Sequence, residues 1–470
     1  MIKTKGLFLV FPVSILLLAA SFFLLVQDRP HSSSQTLETF QSAILITIDT
    51  LRGDHLGFMG NPSIRSPALD RLSQKSTVFT ESYTNTPITL PAHSAMMTSR
   101  FPRDLGLEMN DQLLLPKDTT LTEILKRNGF ITAAYPQAIL QFRRGLDRGF
   151  DFYDAKENRI TQEQKQKLSW YHPNTDIDSQ NAVPRAITWL SERNQLKERY
   201  YLWMHFFEPH IPYNPPEPFR YVDQDSDNMI IDKAIADFSK HNAQMRSTFT
   251  DQDIHIARTE YRNEIFWVDT KLESLFRTLI TMNQPKPFIL VTADHGEVLH
   301  DRQPGFFHGF TLSREELHTP FLVYSNEQQK GIDSSTLVQS VDVAPTILAA
   351  LDIPGLPEFR GANVMSIGSQ VNRPMPLSIG SPPKYVGAMN MRYKVVMDTK
   401  QETWKYWDRD TDYAEKRPVS ITKAAPEEVT NLKTLATHYL EDNANHKPVN
   451  YWDESDSEFF QLLESLGYIQ

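Results

Sequence analysis

The chain of 470 residues holds no cysteine, carries a formal charge of −10 and is 40% apolar. A chain of this size buries a large core, which excludes a short binding module, and an acidic chain with scattered Lys and Arg offers no field for nucleic acid. Without thiols there are no disulfides, thiolate nucleophiles or zinc–sulfur centres, so any metal must rest on Asp, His and hydroxyl ligands.

Lys3 and Lys5 precede Gly6 to Val26, an uncharged and almost wholly apolar stretch about as long as the ~20 residues that cross a bilayer. The positive flank predicts an amino-terminal membrane anchor within residues 1–30, a cleavable signal being the alternative. The polar residues 31–41 then link it to a domain on the extracytoplasmic (periplasmic) side, secreted if the segment is cleaved.

Ala43 to Ile48 is a continuous apolar run of strand length, suited to a strand covered on both faces. Asp49 ends it, at the place where open α/β sheets bind ligands, though an Asp capping the next turn looks the same in sequence. Arg52, Asp54 and His55 follow and read as structural. Ser66 to Leu72 begins an amphipathic helix, and Ser76 to Tyr83 reads as a strand leading to Thr86-Pro87-Ile88-Thr89-Leu90-Pro91-Ala92-His93. Two prolines punctuate that segment, and Thr89 is delivered to a helix start, among unpaired N–H groups and the positive end of the helix dipole. An ordinary Thr N-cap is the plainer reading.

Thr119 to Gly129 has helical spacing and Phe130 to Tyr135 is strand-like, so the chain alternates β and α and predicts a mostly parallel sheet with helices on both faces. Residues 154–181 and 223–252 read as polar insertions. Between them, Tyr200 to Phe206 is a buried strand running through His205 into Glu208-Pro209-His210, and Tyr261 to Ile280 has the period of a long helix. Phe288 to Ala293 repeats the first pattern, an apolar strand ending in Asp294, now with His295, Gly296 and Glu297 behind it. Carboxylates and imidazoles converging at strand ends suit a divalent cation, and Gly296 admits close backbone approach. His308 and His318 flank a helix expected at Thr311 to Leu317, ahead of a strand at Pro320 to Tyr324. Val341 to Leu351 reads as helix, and prolines from Pro354 to Pro383 mark a boundary. Strands at Tyr393 to Met397 and Thr403 to Trp407 precede a helix near Glu427 to Tyr439. The fold class is therefore α/β over residues 42–372, a mixed, mostly parallel sheet flanked by helices, with a small α+β carboxy-terminal subdomain at 373–470.

Together these segments resemble the sulfatase family, within the alkaline phosphatase superfamily of metal-dependent hydrolases. The likeness runs through Ile44 to Arg52, the Thr89 segment, Gly145-Leu146-Asp147-Arg148-Gly149-Phe150, His205 to His210, Thr292 to Glu297, Val341 to Thr346 and the ending Leu463 to Ile469. It implies Asp49, Asp294 and His295 as metal ligands, with the Thr89 hydroxyl at the metal as nucleophile. His93 stands where sulfatases carry Arg and would steady the nucleophile. His210 and His308 resemble the substrate-side bases, and Glu297 and His318 are weaker candidates; His205, read from its strand alone, is either a candidate substrate contact or a satisfied core histidine.

The likeness has one large departure. Sulfatases proper carry Cys or Ser at the Thr89 position, converted to formylglycine; Thr cannot give that aldehyde, because its β-carbon bears a methyl group. Thr50 also stands where many sulfatases have a second Asp ligand. A Thr nucleophile is what phosphodiesterase and phosphoethanolamine-transferase branches use. The expected activity is hydrolysis of a sulfuric or phosphoric ester, of a small molecule, glycan or lipid. The alternatives are a phospho-headgroup transferase and a non-catalytic binding protein. Ca²⁺, Mg²⁺, Mn²⁺ and Zn²⁺ all accept some of these ligands, mixed Asp and His disfavouring an all-oxygen Ca²⁺ cage.

Overall fold

The computed structural model describes residues 40–154, 179–220, 249–282, 285–303, 305–324, 331–366, 373–422 and 424–442. The expected anchor Gly6 to Val26, the bulk of both polar insertions and the ending Leu463 to Ile469 lie outside them.

β1 (Ala43–Ile48) is buried at every position, as its apolar run demands, and lies at the centre of an eight-stranded sheet. β6 (Tyr200–Phe206) and β7 (Phe288–Ala293) flank it, both parallel, with Ile48 level with Phe206 and Ala293. This register brings Asp49, Phe207 and Asp294 to one end of the sheet. Beyond β6 lie β4 (Ile131–Tyr135) and β5 (Phe152–Tyr153), still parallel. Beyond β7, β10 (Phe321–Tyr324) runs antiparallel to both its neighbours, and β2 (Thr77–Phe79) and β11 (Gly331–Asp333) close the edge. The sheet is mixed and mostly parallel, as the β/α alternation predicts.

Strand alternation divides the core into two layers. Ile44, Ile46 and Ile48 pack with α1 (Pro67–Ser73), α4 (Ser179–Leu196) and α5 (Asp251–Thr281). Ala43 and Leu45 face α2 (Thr89–Thr98), α3 (Leu121–Arg127) and α6 (Val343–Ala350). Among the described residues no helix is long and apolar enough to cross a membrane.

Three elements differ from their expected bounds. The strand read at Ser76 to Tyr83 is two: after β2 the chain leaves the large sheet, and β3 (Ser82–Tyr83) pairs with β12 (Val338–Gln339) on the way up to Thr89. α5 starts ten residues before Tyr261, because Thr250 and Asp253 form a reciprocal capping box ahead of it. The helix expected at Thr311 to Leu317 shrinks to the turn Arg314–Leu317, since the Glu316 carboxylate takes the backbone N–H groups of Phe310 and Thr311 and both nearby hydroxyls.

The carboxy-terminal part is an antiparallel sheet of β13 (Met375–Ile379), β14 (Tyr385–Met389), β15 (Tyr393–Asp398), β16 (Thr403–Asp408) and β17 (Val419–Ser420). One face carries α7 (Glu427–Asp442), through Val386, Ala388 and Val395 against Val429, Leu432 and Ala436. Met375, Leu377, Ile379 and Met389 pack against Tyr83, Ile88 and Leu317, which braces the residue before Thr89.

Candidate active site

Ile88 is the N-cap of α2, extended at φ −134° and with no side-chain cap, so Thr89 is the first helical residue and its hydroxyl is not spent on capping. The N-cap reading of Thr89 is therefore not what the chain adopts. Asn110 takes over part of the capping, its Oδ1 accepting the Leu90 N–H at 2.9 Å. All ten residues of the helix are buried, which the small side chains Ala92, Ser94 and Ala95 permit.

Asp294 is oriented by its own backbone surroundings. Its Oδ1 accepts the N–H of His295 at 2.8 Å and of Thr50 at 3.2 Å, which leaves Oδ2 facing inward with no hydrogen-bond partner among the described residues. His295 is fixed likewise: its Nδ1–H donates to the Gly296 carbonyl at 3.0 Å, so Nε2 presents a lone pair. That nitrogen lies 3.5 Å from Asp294 Oδ2, 3.8 Å from Asp49 Oδ1 and 3.4 Å from Thr89 Oγ1. Asp49 Oδ1 is buried and has no hydrogen-bond partner among the described residues. Asp49, Asp294 and His295 can each offer one ligand atom within 4.8 Å of the others. Gly296 does allow a close approach, but of protein: a Cβ there would sit 2.1 Å from the Glu315 carbonyl oxygen.

The electrostatics point the same way. Burial pushes both aspartates well above the usual carboxylate range, with Glu297 adding to the shift on Asp49 and Asp49 to that on Asp294. Burial raises Glu297 well above its ordinary value too. The imidazoles move the opposite way, His295 down to about 4 and His205 and His308 down to about 3, all through burial. Crowded carboxyls buried among neutral rings resist ionisation unless a cation is bound beside them. Carboxylate oxygens with no hydrogen-bond partner among the described residues and an imidazole lone pair met by the Thr89 hydroxyl alone converge on one spot, which fits a divalent cation.

His210, just past β6, and His308, past the hairpin of β8 (Val298–Leu299) and β9 (Phe306–Phe307), continue the row. Their rings lie 4.7 Å apart, and His308 is 4.6 Å from His295. His308 donates Nδ1–H to Glu297 Oε1 at 3.0 Å, and His210 donates Nδ1–H to the Ile211 carbonyl, so both also carry their proton on the outer nitrogen.

His93 and His205 stand apart from that row, packed on each other at 4.6 Å. His93 holds the Thr89 carbonyl through Nδ1 at 2.8 Å, one helical turn on. His205 faces Asp49, not His308. His318 is remote, bonded to the Thr80 carbonyl and packed under Gly53. Arg52 makes a fork to Asp54 and reaches Asp301, so this segment is structural as expected. Thr47 and Trp203, which join His93 to His205, escaped sequence reasoning; the signal was their alternation with Asp49 and His205 along their strands.

The comparisons with known proteins agree with this architecture. The family model Sulfatase matches residues 41–353, and the chain belongs to the sulfatase family. It is a hydrolase of that family. It is 24% identical over 413 residues to the ulvan-active sulfatase of Formosa agariphila, covering 82% of this chain and 77% of that one. Its fold matches the phosphonate monoester hydrolase of Silicibacter pomeroyi at a TM-score of 0.68 and 17% identity, over 86% of this chain and 96% of that one. A protein solved with its substrate D-glucosamine-2-N,6-O-disulfate superposes at 0.65 and 14% identity, over 87% of this chain and 98% of that one.

Proposed function

We propose that the protein hydrolyses a sulfuric or phosphoric ester outside the cytoplasm with Thr89 as nucleophile, and that Asp49, Asp294, His295 and the Thr89 hydroxyl hold a divalent cation. The observation that carries this is the Thr89 hydroxyl, not spent on capping at the helix start and donating at 3.4 Å to the His295 Nε2 lone pair. When bound, such a cation supplies Lewis acidity, which lowers the pKa of a neighbouring hydroxyl and neutralises charge on the ester oxygens. The Thr89 hydroxyl gives its proton to solvent, its Oγ forms the bond to sulfur or phosphorus as the bond to the leaving oxygen breaks, and water later cleaves the threonyl ester, after which Thr89 Oγ takes a proton back from solvent. The α2 dipole favours charge developing beside Thr89.

His308, oriented by Glu297, and His210 beside it are placed to protonate the leaving oxygen and afterwards to accept the proton of the incoming water. Burial holds both neutral, but an anionic ester arriving against them favours their protonated forms. His93 acts on position alone, holding the Thr89 carbonyl.

A threonyl ester has no aldehyde hydrate through which to collapse, so its release depends on water attacking sulfur or phosphorus. That requirement favours phosphorus. The test is hydrolysis of paired p-nitrophenyl sulfate, phosphate monoester and phosphodiester substrates by the metal-reconstituted full chain, with Thr89→Ala alongside. Hydrolysis of one class, lost by about 10³-fold or more in Thr89→Ala, is expected. Full activity in Thr89→Ala would sink the nucleophile assignment, and product forming only with an added alcohol acceptor would make the protein a transferase.

A further inference from the structure

One nitrogen in the centre has no role in the reading above: Nε2 of His205. It is buried, has no hydrogen-bond partner among the described residues and lies 3.5 Å from Asp49 Oδ2. Its proton can be placed by counting hydrogens on Thr47 Oγ1. Three nitrogens lie within hydrogen-bond distance of that oxygen: Trp203 Nε1 at 3.1 Å, His93 Nε2 at 3.1 Å and His205 Nδ1 at 3.0 Å. An indole only donates, and a hydroxyl has one hydrogen to give, so one imidazole must accept from Thr47 and the other must donate to it. His93 spends its Nδ1–H on the Thr89 carbonyl, which makes its Nε2 the acceptor when the ring is neutral. His205 is then the donor through Nδ1, and its Nε2 carries a lone pair.

A lone pair directed at an ionised carboxylate oxygen is repulsive unless a cation lies between them, and at 3.5 Å the pair is too long for a carboxyl proton to bridge it well. The separation suits that arrangement, because two ligand bonds of ~2.1 Å opened to ~110° span about 3.4 Å. His295 stands in the same relation to Asp294 Oδ2, also at 3.5 Å. In both rings the Nδ1–H is tied to a protein acceptor, the arrangement that orients a metal-ligating imidazole.

We infer that His205 is a further ligand of the cation that Asp49 holds, so that the centre presents two imidazole nitrogens, from His205 and His295, beside the carboxylates of Asp49 and Asp294. Trp203, Thr47 and His93 are positioning residues that set the His205 tautomer. The inference rests on the metal-dependent reading above and goes beyond it in ligand set: mixed nitrogen and oxygen donors favour Mn²⁺ or Zn²⁺ over Ca²⁺ or Mg²⁺.

The test is spectroscopic. The full chain is stripped with chelator and reloaded with Mn²⁺, and spin-echo modulation counts the imidazole nitrogens bound to the ion in the wild type, His205→Gln, His295→Gln and Thr47→Val. Two nitrogens are expected in the wild type and one in either Gln variant. The Mn²⁺ dissociation constant is expected to rise at least about tenfold in His205→Gln and by a smaller factor in Thr47→Val, which touches no ion. One nitrogen in the wild type, or two surviving in His205→Gln, overturns the ligand assignment alone. A wild type that takes up neither Mn²⁺ nor Zn²⁺ overturns this inference, and one that takes up neither these nor Ca²⁺ or Mg²⁺ overturns the metal-dependent reading with it. Should His205→Gln fail to fold, the wild-type nitrogen count with Thr47→Val still decides.

Discussion

Two buried regions of the molecule are rich in charge, and they are built on opposite rules. Around β15 and β16 each buried cation meets a carboxylate: Lys394 is bonded to Glu415 and to the Leu312 carbonyl, and Arg409 reaches Glu81 at 2.5 Å together with the carbonyls of Asn390 and Met391. At the carboxyl ends of β1 and β7, Asp49, Asp294 and Glu297 crowd together among neutral imidazoles, each with one oxygen that has no hydrogen-bond partner among the described residues. In the first region each buried cation is paired with a carboxylate of the fold itself. In the second, no Lys or Arg bonds to Asp49 or Asp294 among the described residues, the arrangement expected where a bound cation would supply the missing charge.

Removing one charge from each region should therefore have opposite consequences. Asp294→Asn is expected to lower ester hydrolysis roughly 10³-fold, since several kcal/mol of transition-state charge stabilisation go with the ion. The same variant should raise the Tm of the chelated protein, because a crowded carboxylate has gone while the amide oxygen still accepts the N–H groups of Thr50 and His295. Lys394→Met should instead cost up to ~3–5 kcal/mol in urea unfolding by leaving buried Glu415 to the Arg314 N–H and to Arg302 at 4.0 Å, and the double variant with Glu415→Met should recover most of it. If Asp294→Asn also destabilised the metal-free protein, the contrast between the regions would not hold.

The contrast has a pH signature. Asp49 and Asp294 ionise in the folded, metal-free protein only well above their unfolded value, so the folded state holds the extra protons as pH rises past about 4 and becomes less stable relative to the unfolded chain. A cation displaces those protons. The gain in Tm on adding Mn²⁺ should accordingly be larger at pH 8 than at pH 5, and equal gains would mean that the ion does not bind these carboxylates.

Much of this arrangement was legible in the sequence. The apolar runs ending in Asp49 and Asp294 announced buried parallel strands and two convergent carboxylates, and the prolines around Thr89 announced a helix start. The surroundings of His205 were not legible, because they depend on Thr47 lying level with His205 across two strands separated by more than 150 residues. The turn at Arg314–Leu317 was misjudged for a related reason: the Glu316 side chain competes for the backbone groups a longer helix would use.

His318, a weaker site candidate in the sequence, offers the finest test, since the structure packs it against Thr80 and Gly53. Burial, reinforced by Arg314, pushes its pKa down to about 3, while in the unfolded chain it titrates near 6.5. Between those values the unfolded state binds the proton and the folded state does not. The stability that the neutral ring contributes is therefore fully present above about pH 6.5 and is lost as pH falls towards 3. His318→Gln should flatten the dependence of unfolding free energy on pH in that window by up to one proton, ~1.4 kcal/mol per pH unit, and leave the ratio of sulfate to phosphate ester hydrolysis unchanged. A changed ratio would bring His318 back to the substrate; an unchanged slope would mean that the ring is protonated in the fold, with its partner in the Thr80 carbonyl.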